Sequence, residues 1–242
     1  MSDPIVWTAD GPIVDVLLGD SANGNLISND AGDRFAARLA QLGDDVRVVR
    51  IRTDGSTFCT GRVSPMPPPG TRVGGDALKA DVAAPALRVH EAIRNAAVPV
   101  LAVVKGAAHG YGCALVVACD LAVATPAARF RVPEMDRGIP PLLVMTAMNG
   151  RVTPKAMAHL ALTREEIDAD AALTAGIVSA IRPATEIDAY VDALCASLAA
   201  APVESVRAIK EFLRVAPGTA FPVAAALAAN LTGTALAKRF LG

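Results

Sequence analysis

Glu134 lies in the segment 130–138, FRVPEMDRG, where its neighbours are mostly apolar or basic. Upstream, Gly106, Gly110 and Gly112 form a glycine-rich turn that leads into an apolar stretch of helical size, residues 113–119, closed by Asp120. A chain that passes through glycines into a helix start leaves backbone N–H groups without intrahelical partners. With the helix dipole, those groups attract developing negative charge. A carboxylate that follows such a helix start supplies the parts for moving a proton next to a carbonyl.

The glycine spacing admits rival readings. The pattern G-x-x-x-x-G-K-[ST] is absent, which excludes a Walker phosphate loop, and G-x-G-x-x-G is not met either. Gly106-x-x-x-Gly110-x-Gly112 does match the spacing with which short-chain dehydrogenases hold a dinucleotide. Their glycine turn follows the first strand, however, and their Tyr-x-x-x-Lys pair is missing here, since neither Tyr111 nor Tyr190 has a lysine four residues on. The structural alternative is that the glycines only let a strand and a helix pack closely.

The elements that must position these residues follow from periodicity. Residues 98–104 are almost all Val, Leu or Ala, too short and too β-rich for a buried helix, and predict a buried strand. Residues 121–124 predict a second. Earlier, residues 13–18 predict a strand paired with 5–8 across Asp10-Gly11. Asp30 is the expected cap of a helix through Leu42, with Phe35, Leu39 and Leu42 on one face and Gly43 as its stop. Residues 46–53 predict the next strand, and residues 80–97 a helix leading into 98–104. The stretch 64–75, SPMPPPGTRVGG, reads as a loop, either a lid or pocket wall or a surface excursion. After Glu134, helices are expected at 140–148, from Pro154 behind a Thr153 cap, and at 167–175 up to Gly176. A strand at 177–181 and helices at 186–200, 202–215 and 222–240 complete the chain. Strands and helices alternate early and helices crowd the end, with no internal repeat and no domain linker.

Composition bounds the function classes. The chain has 242 residues, a size for one large α/β domain or a domain with a helical appendix. Hydrophobic residues make up 52% and aromatic ones only 4%, so alanine-rich helix packing is expected rather than bulky cores. Surplus apolar surface points to contacts between copies. No apolar run reaches about 18 residues, so no membrane span is expected, and the start MSDPIVWTAD lacks the features of a signal peptide. The net charge is −1, and the longest basic cluster is Lys238-Arg239, which argues against nucleic acid as a partner. Cys59, Cys113, Cys119 and Cys195 lack metal-ligand spacing, and Cys113 and Cys119 would lie about 9 Å apart along one helix, too far for a disulfide. No metal site is expected. The expected setting is reduced and cytoplasmic.

An ordered set of motifs resembles the crotonase, or enoyl-CoA hydratase/isomerase, superfamily over nearly the whole chain. It comprises Asn25 with Leu-Ile-Ser, the strand from Val46 that leads to Phe58-Cys-Thr-Gly61, the glycine turn with Cys119-Asp120, and FRVPEMDRG. Ile167-Asp-Ala, Ala175-Gly-Ile-Val and the segment 202–213 with Lys210 follow in order. The resemblance implies an α/β fold, a spiral of ββα units over residues 1–185 that holds an acyl-CoA site, with a C-terminal helical trimerisation region at 186–242. It implies acyl-CoA thioester substrates, homotrimers or dimers of trimers, and no separate cofactor, coenzyme A being part of the substrate. Two backbone N–H groups, of Arg62 and Tyr111, are implied as the oxyanion hole, with Gly61, Gly110, Gly112 and Ala114 around the substrate.

Departures from the pattern bear on the chemistry. Hydratases of the family use two glutamates; Glu134 matches the second, but the first is replaced by Ala114. Hydration needs groups that orient and deprotonate water and protonate the α-carbon, and one carboxylate leaves that set incomplete. Isomerases of the family resemble this chain, with an apolar residue on the helix and a glutamate in the later motif. A Δ3-Δ2 enoyl-CoA isomerase is therefore expected. The alternatives are a hydratase or another crotonase-type reaction, with Asp136, Tyr111 or water in the missing role, and a non-catalytic acyl-CoA binding protein. Tyr111 stands where glycine is usual, and Arg62-Val63 replaces the commoner Ala-Asp. The residue-level alternative for Glu134 is a surface ion pair with Arg131 or Arg137. Asp136, His109 and Asp120 are expected to be structural, and His90 and His159 are given no role.

Overall fold

The computed structural model describes residues 4–68, 70–237 and 240. The chain opens with a hairpin, β1 (Ile5–Asp10) and β2 (Ile13–Leu18), paired antiparallel from Ile5 opposite Leu18 to Asp10 opposite Ile13. Helix α1 (Asn29–Ala40) follows, buries Phe35 and Leu39, and is capped by Ser28 rather than Asp30. The Ser28 hydroxyl accepts from the Ala31 N–H at 3.1 Å, from the extended conformation that lets a cap reach back. Asp30 sits inside the first turn and pairs with Arg34. The helix stops two residues before Leu42, which still packs against the core.

From here the chain repeats a pattern of two strands and a helix. The first unit is β3 (Val48–Thr53), β4 (Thr57–Cys59), then α2 (Gly75–Leu78), a π-helical turn (Lys79–Ala83) and α3 (Ala84–Asn95). The helical stretch thus starts five residues earlier than its sequence pattern predicts. Pro85 offers no N–H to the preceding turn, where the helix widens to π geometry. The second unit is β5 (Val100–Val104), β6 (Ala107–His109) and α4 (Tyr111–Ala118). The third is β7 (Leu121–Ala124), β8 (Arg129–Arg131) and α5 (Leu142–Met148). The chain ends with α6 (Pro154–Thr163), β9 (Ile167–Asp168), α7 (Ala169–Ala175), β10 (Ala180–Ile181), α8 (Ile187–Ala200), α9 (Val203–Val215) and α10 (Phe221–Ala237).

Each unit gives its first strand to one sheet and its second to another. The larger sheet has the order β1-β2-β3-β5-β7-β10 and the smaller β4-β6-β8-β9. The pairs β2–β3, β3–β5, β5–β7, β4–β6 and β6–β8 are parallel, so the chain winds as a spiral of ββα turns. β5 is buried at all five positions and α4 at all eight, as expected of a helix that is apolar all round. Asp120, at the end of α4, accepts from the Val100 N–H at 2.8 Å and from Lys210 Nζ at 2.7 Å. It ties helix, strand and α9 together.

Further expected boundaries shift, and of the expected helix 222–240 residues 238 and 239 lie outside the described residues. Residues 167–168 are a strand rather than helix: Ile167 pairs with Phe130, and the Asp168 carboxylate caps α7 by accepting from Ala171. Only Ala180–Ile181 of the expected strand 177–181 pairs with β7. Within the glycine turn, residues 107–109 form a strand because β4 and β8 flank them.

Candidate active site

The glycines are what bring the site together. A Cβ on Gly106 would lie 1.5 Å from the Ser56 carbonyl oxygen, and one on Gly112 would lie 2.0 Å from that of Cys59. Gly112 permits the start of α4 to press against β4, and Gly106 permits the turn before β6 to press against the residue before β4, so close packing accounts for both. Gly110 differs. Its φ is +52°, and a Cβ there would lie 2.4 Å from Glu134 Oε1, so the missing side chain makes room for the carboxylate. The Gly110 N–H donates to the Arg131 carbonyl at 2.8 Å, which fixes the turn to the strand before Glu134.

This packing places two uncommitted backbone donors on one cavity wall. Tyr111 opens α4, so its N–H has no intrahelical acceptor. Arg62 bridges Ile27. There, the Ile27 N–H donates to the Gly61 carbonyl and the Val63 N–H to the Ile27 carbonyl, an arrangement that turns the Arg62 N–H away from that strand. Both residues line a cavity of about 110 Å³, together with Gly61, Gly110, Glu134 and the apolar side chains of Val82, Leu143 and Val144.

Glu134 is the one carboxylate on this wall among the described residues. Its Oε2 is buried without a hydrogen-bond partner. Burial raises its pKa above the ordinary 4.5, opposed by its own backbone N–H and by the charge of Arg137. The expected alternative, an ion pair with Arg131 or Arg137, is not formed among the described residues, Arg137 acting on Glu134 only through its charge. Arg131 donates instead to Asp136 at 2.7 Å and to the Arg164 carbonyl at 2.8 Å, and Asp136 is shared with Arg164. Asp136 is thereby a structural ion-pair member. Cys59 and Cys113 are fully buried, and burial pushes their thiols up to about 12, so neither offers a thiolate. A carboxylate and backbone N–H groups on one wall have the chemistry to move a proton and hold an anion.

Of the remaining expected site residues, Gly112 and Ala114 do not reach the cavity wall. Gly112 is taken up by its contact with Cys59, and Ala114, with no exposed surface, presents only a methyl group from a turn further along α4. His109 points to Glu166, with Nε2 at 2.9 Å from Oε2, an ion-pairing distance without hydrogen-bond geometry. Asp120 is structural. Lys238 and Arg239 lie outside the described residues.

Residues 9–235 match the enoyl-CoA hydratase/isomerase family. The chain belongs to this family. The mouse enoyl-CoA hydratase domain-containing protein 3, mitochondrial, is 32% identical over 178 residues, 68% of this chain and 58% of that protein. The chain thus matches less than two thirds of that relative's length. The enoyl-CoA hydratase of Mycobacterium smegmatis superposes with a TM-score of 0.89 at 26% identity, over 96% of this chain and 91% of that one. A Thermobifida fusca structure in complex with acetoacetyl-CoA superposes at 0.84 with 26% identity, over 98% and 96% of the two chains. The crotonase-like fold, with two sheets and C-terminal helices, is shared.

Crotonase motifs led to Glu134, Arg62 and Tyr111, but several wall residues carry no motif. Val82 enters the cavity from the π-helical turn, and Leu143 and Val144 enter from α5. The loop stretch is partly pocket wall, since Ser64, Pro65 and Met66 line the cavity. His90, to which the sequence assigns no role, is buried in α3 with its ring stacked on Tyr111 at 5.3 Å. Its position in an amphipathic helix was the only signal available.

Proposed function

We propose that the protein is an acyl-CoA enzyme that isomerises a 3-enoyl thioester to the conjugated 2-enoyl thioester, with Glu134 as its single base. The observation that carries this reading is the lone, unpaired Glu134 carboxylate on the cavity wall, with Ala114 where a second glutamate would be needed. In the reaction Glu134 takes the proton from C2. The released electron pair spreads over the thioester oxygen and the C3–C4 double bond as a dienolate. The same carboxyl returns the proton at C4, leaving the double bond between C2 and C3. No water enters and the mass is unchanged.

The N–H groups of Arg62 and Tyr111 are the proposed oxyanion donors, with Gly61 and Gly110 holding their peptides. A donor of this kind is worth about 3–4 kcal/mol in the transition state. Burial raises the pKa of Glu134, which makes its carboxylate a stronger base than an exposed one. Activity is therefore expected to rise with pH through a midpoint above 4.5 and level off. Support from relatives is of the same kind, as the Thermobifida fusca structure holds acetoacetyl-CoA.

The test gives the purified protein 3-enoyl-CoA and 2-enoyl-CoA and follows conjugated thioester absorbance with product mass. Absorbance rising from the 3-enoyl substrate without a mass change, and lost at least a hundredfold in Glu134→Gln, is the expected result. A gain of one water on the 2-enoyl substrate would overturn it in favour of a hydratase. Thioester binding without turnover of either would leave an acyl-CoA binding protein.

A further inference from the structure

Tyr111 does more than present an N–H. The residue is 6% exposed and lines the cavity at the start of α4. Two groups hold it. The His90 ring of α3 stacks on it with an interplanar angle of 24°, and the Arg62 guanidinium lies 5.4 Å from its centroid. Arg62 is itself fixed: Nη1 donates to the Val82 carbonyl at 3.0 Å in the π-helical turn, and Nη2 to Asn29 Oδ1 at the start of α1. Asn29 in turn donates to the Asp81 carbonyl at 2.9 Å. His90 of α3 and the anchored Arg62 thus pack against the Tyr111 ring.

The space it leaves is small. An apolar cavity of about 150 Å³ holds a benzene ring, whereas the cavity here is about 110 Å³ and must also admit the thioester group. We propose that Tyr111, braced by Arg62 and His90, is a specificity-determining residue that limits the substrate to short acyl groups. This inference rests on the acyl-CoA reading above and narrows it. A longer chain would force the ring from a close-packed position, and overpacking of that kind is resisted strongly.

Calorimetric titration of the intact protein with coenzyme A and with acetyl-, butyryl-, hexanoyl- and octanoyl-CoA tests it without depending on which reaction is catalysed. Affinity is expected to peak at a short acyl group and to fall about tenfold or more by octanoyl-CoA. Tyr111→Ala should move the optimum to a longer chain, and Tyr111→Phe, which keeps the ring, should retain the wild-type profile. If Tyr111→Ala does not fold, the wild-type series stands alone and Arg62→Ala, which unbraces the ring, is the second variant. Affinity that rises steadily to octanoyl-CoA, by about fourfold for each buried methylene, would overturn the length limit and leave the acyl-CoA reading intact. Failure of every ligand, coenzyme A included, to bind would overturn both.

Discussion

His90 carries two ring nitrogens without a hydrogen-bond partner at 4% exposure. Burial is the main reason its pKa falls from 6.5 to about 4, with the charges of Arg62 and Arg94 adding to the effect. The unfolded chain therefore binds a proton between those values that the folded protein refuses. Stability conferred by the neutral ring is complete above pH 6.5 and is lost as pH falls toward about 4. The linked change is about 3 kcal/mol. Urea unfolding of the wild type should show this slope, and His90→Leu should lack it; an unchanged slope in the variant would show that other groups govern acid sensitivity. At this scale the sequence was half legible. Glu134 could be read because a carboxylate in a short motif keeps its meaning without tertiary detail. Its freedom from Arg131 could not, because that depends on Arg164, brought alongside by β9 and its neighbours. The stack of His90 on Tyr111 joins residues of two helices, and no spacing rule connects them.

At the scale of elements, α9 depends on one buried ion pair. Lys210 is 8% exposed and its Nζ lies 2.7 Å from Asp120 Oδ2, at the end of α4. Lys210→Met would leave Asp120 with only the Val100 N–H. Removing one partner of a buried pair costs about 3–5 kcal/mol, which for a chain of this size lowers the melting temperature by about 10 °C. Asp120→Asn added to Lys210→Met should recover much of the loss, since the uncompensated charge goes with it. If the double variant melts no higher than the single one, the pair is not what anchors α9. The strands β2 and β7 have the boundaries their sequences predict, whereas the apolar run 98–104 pairs only from Val100. β6 and β8 are three residues each and contain Ala, His and Arg, so only their pairing partners make them strands. The α1 boundary follows the same logic: both Ser28 and Asp30 are good caps in sequence, and the backbone entry angle selects Ser28.

The whole chain has a mean hydropathy of +0.40, and its folded surface shows where the excess goes. α10 has seventeen residues and buries none of them; Phe221 is 82% exposed, and Val223 and Leu236 are also exposed. On α9, which packs against it, Ile209 and Leu213 are exposed as well. No single helix among the described residues is long and apolar enough to cross a membrane. Apolar surface concentrated on two adjacent helices, rather than scattered singly, marks a contact surface. Its proposed occupant is the same face of a second and third copy, in a homotrimer or dimer of trimers. Sedimentation at micromolar concentration should then give a mass three or six times that of one chain. Phe221→Asp with Leu213→Asp should shift it to monomer while leaving the far-ultraviolet circular dichroism unchanged, because neither side chain supports the core. A monomeric wild type would remove this face from the assembly and leave it to a different partner. A trimer that survives both substitutions would move the contact to another surface of the spiral.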